Sequence, residues 1–137
     1  HKKSLILHNR EAKADILPIL ETNWNPHLAK HAVFHCCEAD SELLDYAKKL
    51  DMFIGVDGDV TYDKKKQDFI KEVPLEMLVV ETDSPYILPE PLLSQRKYPN
   101  EPANVQYVVK MVAQIKNISF DEAIKITTEN GKTLFQL

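Results

Sequence analysis

The sequence has 137 residues and a mass of 15.7 kDa, with 44% hydrophobic and 28% charged residues, which permits one domain with a real core. It is too short for a complete (β/α)8 barrel, which takes about 250 residues, and too ordinary in composition for a disordered, collagen-like or low-complexity chain. With 17 Lys and Arg against 21 Asp and Glu the net charge is −4, so no global basic field recruits nucleic acid and any polyanion contact must be local.

The chain opens on His1 rather than Met, which points to a processed product or an excised fragment. No signal-peptide pattern follows, and the apolar runs fall far below the roughly 20 residues that span a bilayer. The first apolar run, residues 4–7, reads as a strand. Residues 10–22 then place Ala12, Ile16, Ile19 and Leu20 on one helical face, with Pro18 kinking the helix unless it starts near Asp15. A second strand is expected over residues 32–34. The adjacent Cys36 and Cys37 that follow would close almost no loop if bonded, so they read as reduced thiols of a cytoplasmic protein; without a C-x-x-C there is no zinc ribbon.

Residues 41–50 form an amphipathic helix through Leu43, Leu44, Ala47 and Leu50, with Asp40 or Ser41 as its N-cap. Residues 52–56 make a third strand, 64–72 a weaker, Lys-rich helix, and 77–80 a fourth strand. All four strands are apolar on both faces, as in a parallel sheet covered by crossover helices. The prolines cluster between Pro74 and Pro102, marking one long irregular connection. Beyond it, residues 103–116 carry Val105, Val108, Val109, Val112 and Ile115 at helical spacing. A last helix opens with the capping box Ser119-Phe120-Asp121-Glu122, with Ile118 stapled onto Ala123. Asn130-Gly131 is expected to end it, and a final turn to bring Leu134, Phe135 and Leu137 to a core.

The informative feature is what ends each strand. The first runs into His8, the second into His35, and the fourth into Glu81-Thr82-Asp83. The carboxyl ends of parallel strands share one edge, where α/β folds build their sites. Two imidazoles and a carboxylate there can converge on a metal, and mixed N/O donors suit Zn, Mn, Fe, Ni or Mg without a sharp choice. A Ser-His-Asp triad is the rival chemistry, but no G-x-S-x-G occurs, and Ser84 adjoins Asp83 rather than sitting on a strand-to-helix turn. Phosphate-cradling glycine loops are absent as well.

Ile6-Leu7-His8-Asn9-Arg10-Glu11-Ala12, Phe34-His35-Cys36, Ile54-Gly55-Val56-Asp57-Gly58, Val60-Thr61, Val80-Glu81-Thr82-Asp83-Ser84-Pro85-Tyr86, Asn100-Glu101-Pro102 and the terminal Asn130, Leu134 and Phe135 together resemble the TatD-type metal-dependent deoxyribonucleases. The match in order and spacing covers nearly the whole chain. It implies an α/β fold whose parallel β-α units correspond to strands five to eight of an amidohydrolase-like TIM barrel, followed by C-terminal helices, with residues 1–137 as a single domain. It also implies hydrolysis of DNA phosphodiester bonds with one or two divalent ions (Mg, Mn or Zn), DNA as substrate, and no membrane.

By position, the resemblance assigns His8, His35 and Asp83 to metal binding, with Asp83 also taking a proton from the attacking water. Arg10, Glu81 and Asn100 fall on the substrate side: Arg10 within reach of a phosphate oxygen, Glu81 inside the barrel orienting a ligand. Arg96 and Lys97, in the proline-rich loop, are further local candidates for DNA contact. Two departures stand out. Glu38 puts a negative charge near the pocket mouth, and the family's H-x-H and bridging Glu, carried by the first half of the barrel, have no counterpart here. Each metal site is then short of ligands, so the isolated chain is expected to bind metal weakly and hydrolyse little. Closing the barrel takes the complementary half or a second copy. A catalytically inactive interaction domain, or a hydrolase of another ester or amide, are the alternative readings.

Overall fold

A computed structural model describes residues 3–137; His1, on which the reading of a processed or excised chain rests, lies outside them. Four short parallel strands form one open sheet in sequence order: β1 (Leu5–His8), β2 (Ala32–His35), β3 (Phe53–Val56) and β4 (Leu78–Val80). Helices α1 (Lys13–Asn23), α2 (Ser41–Leu50) and α3 (Lys64–Glu72) make the crossovers, and α4 (Val105–Lys116) and α5 (Phe120–Phe135) follow a long irregular loop. The two histidines are the last residues of their strands, and Asp83 lies three residues beyond β4.

The main core lies between the sheet and its helices. Leu17 and Leu20 of α1, Leu43, Leu44 and Ala47 of α2, Ile70 of α3 and Val108 and Val112 of α4 pack on Ala32, Phe34, Ile54 and Leu78. Each large aliphatic or aromatic side chain buried this way contributes about 1.5–3 kcal/mol. The opposite face is thinner: Val33, Phe53 and Val79 meet Leu134 of α5. Ile6 is paired with Val33 and so shares that face, but it is 55% exposed. The expectation of strands buried on both faces therefore fails at β1, where alternate residues are exposed.

Three helix details differ from the sequence reading. Helix α1 starts at Lys13, with Pro18 inside it; its buried residues are Leu17 and Leu20, while Ile19 is 61% exposed. Residues 102–104 form a 3-10 turn ahead of α4. Helix α5 does not stop at Asn130-Gly131. Asn130 donates from Nδ2 to the carbonyls of Leu75 (3.0 Å) and Leu78 (2.7 Å), and this tie to the sheet holds the residue in the helix. Gly131 is tolerated at a cost of about 1 kcal/mol. Leu134 reaches the core, but Phe135 and Leu137 are exposed.

The last turn of α5 also meets the amino ends of the strands. Ser4 Oγ donates to the Leu134 carbonyl at 2.5 Å, and His31 Nδ1 lies 3.0 Å from that of Thr133. Helix α5 thus closes the amino edge of the sheet and leaves the carboxyl edge open.

Asp40 caps α2 as its position predicts. Its Oδ1 accepts the N–H groups of Glu42 (2.8 Å) and Leu43 (3.2 Å), and its Oδ2 receives Lys13 of α1 at 2.5 Å. Burial opposes the charge, but Lys13 and the two backbone donors hold Asp40 below the usual carboxylate range. Asp40→Ala should lower stability by about 1 kcal/mol, read from the urea midpoint. Because the folded-state pKa is depressed, this contribution is present in full above the unfolded pKa of about 3.9 and is lost as pH falls through the folded value. The difference between wild type and variant should shrink on acidification.

Candidate metal centre at the carboxyl edge of the sheet

Parallel register places His8 opposite His35. Their ring centroids are 5.6 Å apart with the planes tilted by 46°. The orientation of His35 is set from β4. Glu81 Oε2 lies 2.6 Å from His35 Nδ1, and Oε1 accepts the backbone N–H of Cys36 at 2.5 Å. His35 Nε2 is thereby turned toward Asp83, 3.3 Å from its Oδ1. A histidine locked at one ring nitrogen by a carboxylate, with the other presented to an open edge, is the usual arrangement of a metal-ligating imidazole.

Gly55 makes this carboxylate bridge possible. Glu81 reaches β2 by crossing the end of β3, and a Cβ at residue 55 would sit 2.5 Å from Glu81 Oε1. The extended ladder supports the same crossing: Cys37 N donates to Gly55 O at 3.1 Å and Glu81 N to Val56 O at 2.9 Å. Burial opposes charge on His35, but Glu81, Asp83 and Asp57 outweigh it and raise its pKa. Burial raises Glu81 in turn, against the opposing pull of His35 and the Cys36 N–H. Asp83 and Cys36, both just beyond strand ends, take left-handed backbone with φ 52° and 48°.

The remaining candidates are placed unequally. Arg10 is exposed and, with His8, Asn9 and Lys65, lines a cavity of about 430 Å³ beside the histidines. Glu38 lines the same cavity, but its carboxylate is engaged within the chain: Oε2 accepts Asn9 Nδ2 at 2.7 Å and Oε1 the Glu11 N–H at 3.1 Å. Asn100 is buried, and its Nδ2 donates to the carbonyls of Thr82 (2.8 Å), Tyr86 (2.7 Å) and Ile87 (3.1 Å). Its amide therefore fastens the loop that carries Asp83. Arg96 and Lys97 are exposed in the same loop. Both cysteines are free thiols, and none of the described helices is long and apolar enough to cross a membrane.

One group of residues at this edge has no role in the sequence reading. Asp57 follows β3 directly and is completely buried. Asp59 lies beside it in a 3-10 turn, with Lys66 of α3 3.3 Å from its Oδ2. The Lys66 ammonium, itself 4% exposed, also donates to the Cys37 carbonyl. Burial and the neighbouring Asp57 push Asp59 up to about 8, while Asp57 is held below the ordinary range against its burial by Asp59, the Cys36 thiol and Lys66. One carboxylate oxygen each of Asp57 and Asp83 and the Cys36 sulfur lie within 4.8 Å of one another. The signal for Asp57 was in the sequence: it is the polar residue ending the third strand, as His8 and His35 end the first two.

The chain matches the family described as TatD related DNase over residues 1–136. It is 35% identical over 135 residues to the uncharacterized metal-dependent hydrolase YabD of Bacillus subtilis, covering 97% of this chain and 51% of that protein. It is 32% identical over 139 residues to a protein of Pantoea vagans named 3'-5' ssDNA/RNA exonuclease TatD, covering 97% and 52%. Among solved structures, the TatD homologue YjjV of Escherichia coli superposes with a TM-score of 0.81 at 27% identity, over 96% of this chain and 49% of that one. The chain thus spans about half the length of the relatives it matches, with the parallel α/β fold of that half. With the family matched across its length and the histidines, Glu81 and Asp83 gathered at one sheet edge, the chain belongs to the TatD-related DNase family.

Proposed function

We propose that this chain supplies strands five to eight of a TatD-type barrel, as a single domain over residues 1–137, and that the completed protein is a metal-dependent hydrolase of DNA phosphodiester bonds. The observation that carries the reading is the Glu81–His35–Asp83 chain with His8 beside it, four polar side chains held at the open edge of a parallel sheet. The relatives' names, metal-dependent hydrolase in one case and ssDNA/RNA exonuclease in another, agree with it.

The donor set fits a divalent cation. His8 and His35 offer imidazole nitrogens and Asp83 a carboxylate, a mixture suited to Zn, Mn or Mg. A bound ion would supply Lewis-acid polarisation of a phosphoryl oxygen and lower the pKa of water. Asp83 accepts the proton from the attacking water as the new P–O bond forms and the old one breaks, and later returns it to the departing oxygen. Glu81 holds His35 in the tautomer that leaves Nε2 free. Arg10, on the cavity wall, takes a phosphate oxygen. Asn100 acts through the loop by fixing the position of Asp83. The complementary half of the barrel, or a second copy, supplies the other wall of the site.

Cleavage of a single-stranded oligodeoxynucleotide with Mg²⁺, Mn²⁺ or Zn²⁺ tests the reading, using the 137-residue chain and a full-length protein in which the first half of the barrel precedes it. The full-length protein should cleave and the chain alone should show little activity. Asp83→Ala should lower the full-length rate by at least about 100-fold. A full-length protein inert toward DNA with every metal, or one indifferent to Asp83→Ala, would sink the proposal. Gly55→Ala should displace the Glu81 carboxylate and weaken metal binding by about 10- to 100-fold, measured by calorimetric titration. Unchanged affinity in that variant would show that Glu81 does not orient the ligand.

A further inference from the structure

Directly after β3, at the same edge, lies a buried carboxylate that the proposed hydrolysis does not use. Asp57 is 0% exposed; its Oδ1 accepts the Asp59 N–H at 3.1 Å, and its Oδ2 accepts no hydrogen bond from the described residues. Asp59 Oδ1 is likewise buried without a partner among the described residues. An ionised buried oxygen left unpaired costs about 1–3 kcal/mol or more, so the site calls for a positive charge or a proton. Lys66 is already engaged with Asp59 Oδ2 and the Cys37 carbonyl. What faces Asp57 instead is a thiol and a second carboxylate: Cys36 Sγ and an oxygen of Asp83, all three ligand atoms within 4.8 Å.

We infer that Cys36, Asp57 and Asp83 form a second divalent-cation site, distinct from the position between His8 and His35 and selective for a thiophilic ion such as Zn²⁺ over Mg²⁺. The sulfur sets the preference, because hard Mg²⁺ takes oxygen ligands whereas thiolate selects Zn²⁺ and its neighbours. A tetrahedral ion with metal–sulfur and metal–oxygen distances of about 2.3 and 2.1 Å draws its ligands to under about 4 Å of one another, a contraction that side-chain rotation supplies. Three protein ligands leave a fourth position open.

Cys36 releases its thiol proton to solvent on binding. One thiolate and two carboxylates then face the divalent ion, and the Lys66 ammonium stands beside them paired with Asp59. Asp83 belongs to both sites, and that shared carboxylate is the sole respect in which the inference rests on the proposed function.

Co²⁺ is the probe, because thiolate ligation gives a sulfur-to-cobalt charge-transfer band in the near ultraviolet. Added to the metal-free protein, Co²⁺ should produce this band, and Zn²⁺ should abolish it while an equal concentration of Mg²⁺ does not. Cys36→Ser should remove the band, and Asp57→Asn should weaken Co²⁺ binding by at least about tenfold. His8→Ala should retain the band. A band lost in His8→Ala would mean one merged site, and Co²⁺ binding without any band would mean that the thiol is not a ligand; either overturns the inference.

Because a variant can fail for reasons of folding, wild-type protein supplies an independent reading. Zn²⁺ should protect Cys36 from alkylation by iodoacetamide, followed by peptide mass spectrometry, and Mg²⁺ should not. Equal alkylation with and without Zn²⁺ would leave Asp57 and Asp59 a proton-sharing pair and no metal site. DNA cleavage is scored separately, so loss of the thiolate band with cleavage intact refutes only this site. A normal band in a protein inert toward DNA refutes only the hydrolase.

Discussion

The direction of His35 at the carboxyl edge depends on one side chain crossing one gap. Glu81 leaves the end of β4, passes over Gly55 of β3 and fastens both His35 and the Cys36 amide at the end of β2. Strand pairing alone would bring these residues to the same edge but would leave the imidazole free to rotate. The bridge selects one ring orientation and, through it, the direction in which His35 meets Asp83. It is also a constraint on β3, since any side chain at residue 55 competes for the same volume as the carboxylate.

The rest of the site divides between groups that hold and groups that are presented. Asn100 and Glu38 satisfy neighbouring donors and acceptors and take no exposed position of their own. Arg10, His8 and the outward side of Asp83 remain available to a ligand. Glu38 shows why sign alone is a poor guide to a pocket: its carboxylate is turned to Asn9 and the Glu11 amide, so its charge is partly spent on local structure. The buried Lys66 does the corresponding work on the other wall, offsetting the carboxylate of Asp59 in a place where neither charge would survive alone.

The alternation of strands and amphipathic helices was legible because periodicity and burial coincide in β2, β3, α2 and α3. The capping of α2 by Asp40 was legible because the side chain acts within its own turn. The misreadings have a common cause in tertiary contacts that local signals do not contain. Asn130-Gly131 is a stop signal in isolation, yet the Asn130 amide is claimed by carbonyls of residues 75 and 78, so the helix continues. Ile19 lies on a plausible apolar stripe, but the sheet lies against Leu17 and Leu20. Of the site, the strand-end histidines and Asp83 could be read from position. The arrangement around Asp57 could not, because the partners of a buried carboxylate come from β2, α3 and the loop after β4.

The clamp around Asn100 has an implication for how such a site can diversify. A single amide gathers the carbonyls of residues 82, 86 and 87, at the root of the long loop. The stretch between Leu88 and Pro99 leaves and returns at this clamp and is tied once more where the Glu90 N–H donates to Thr61 Oγ1 at 2.8 Å. Its exposed residues Arg96 and Lys97 take part in neither tie. Length or charge can therefore change at the exposed tip while the backbone around Asp83 stays pinned by one buried amide.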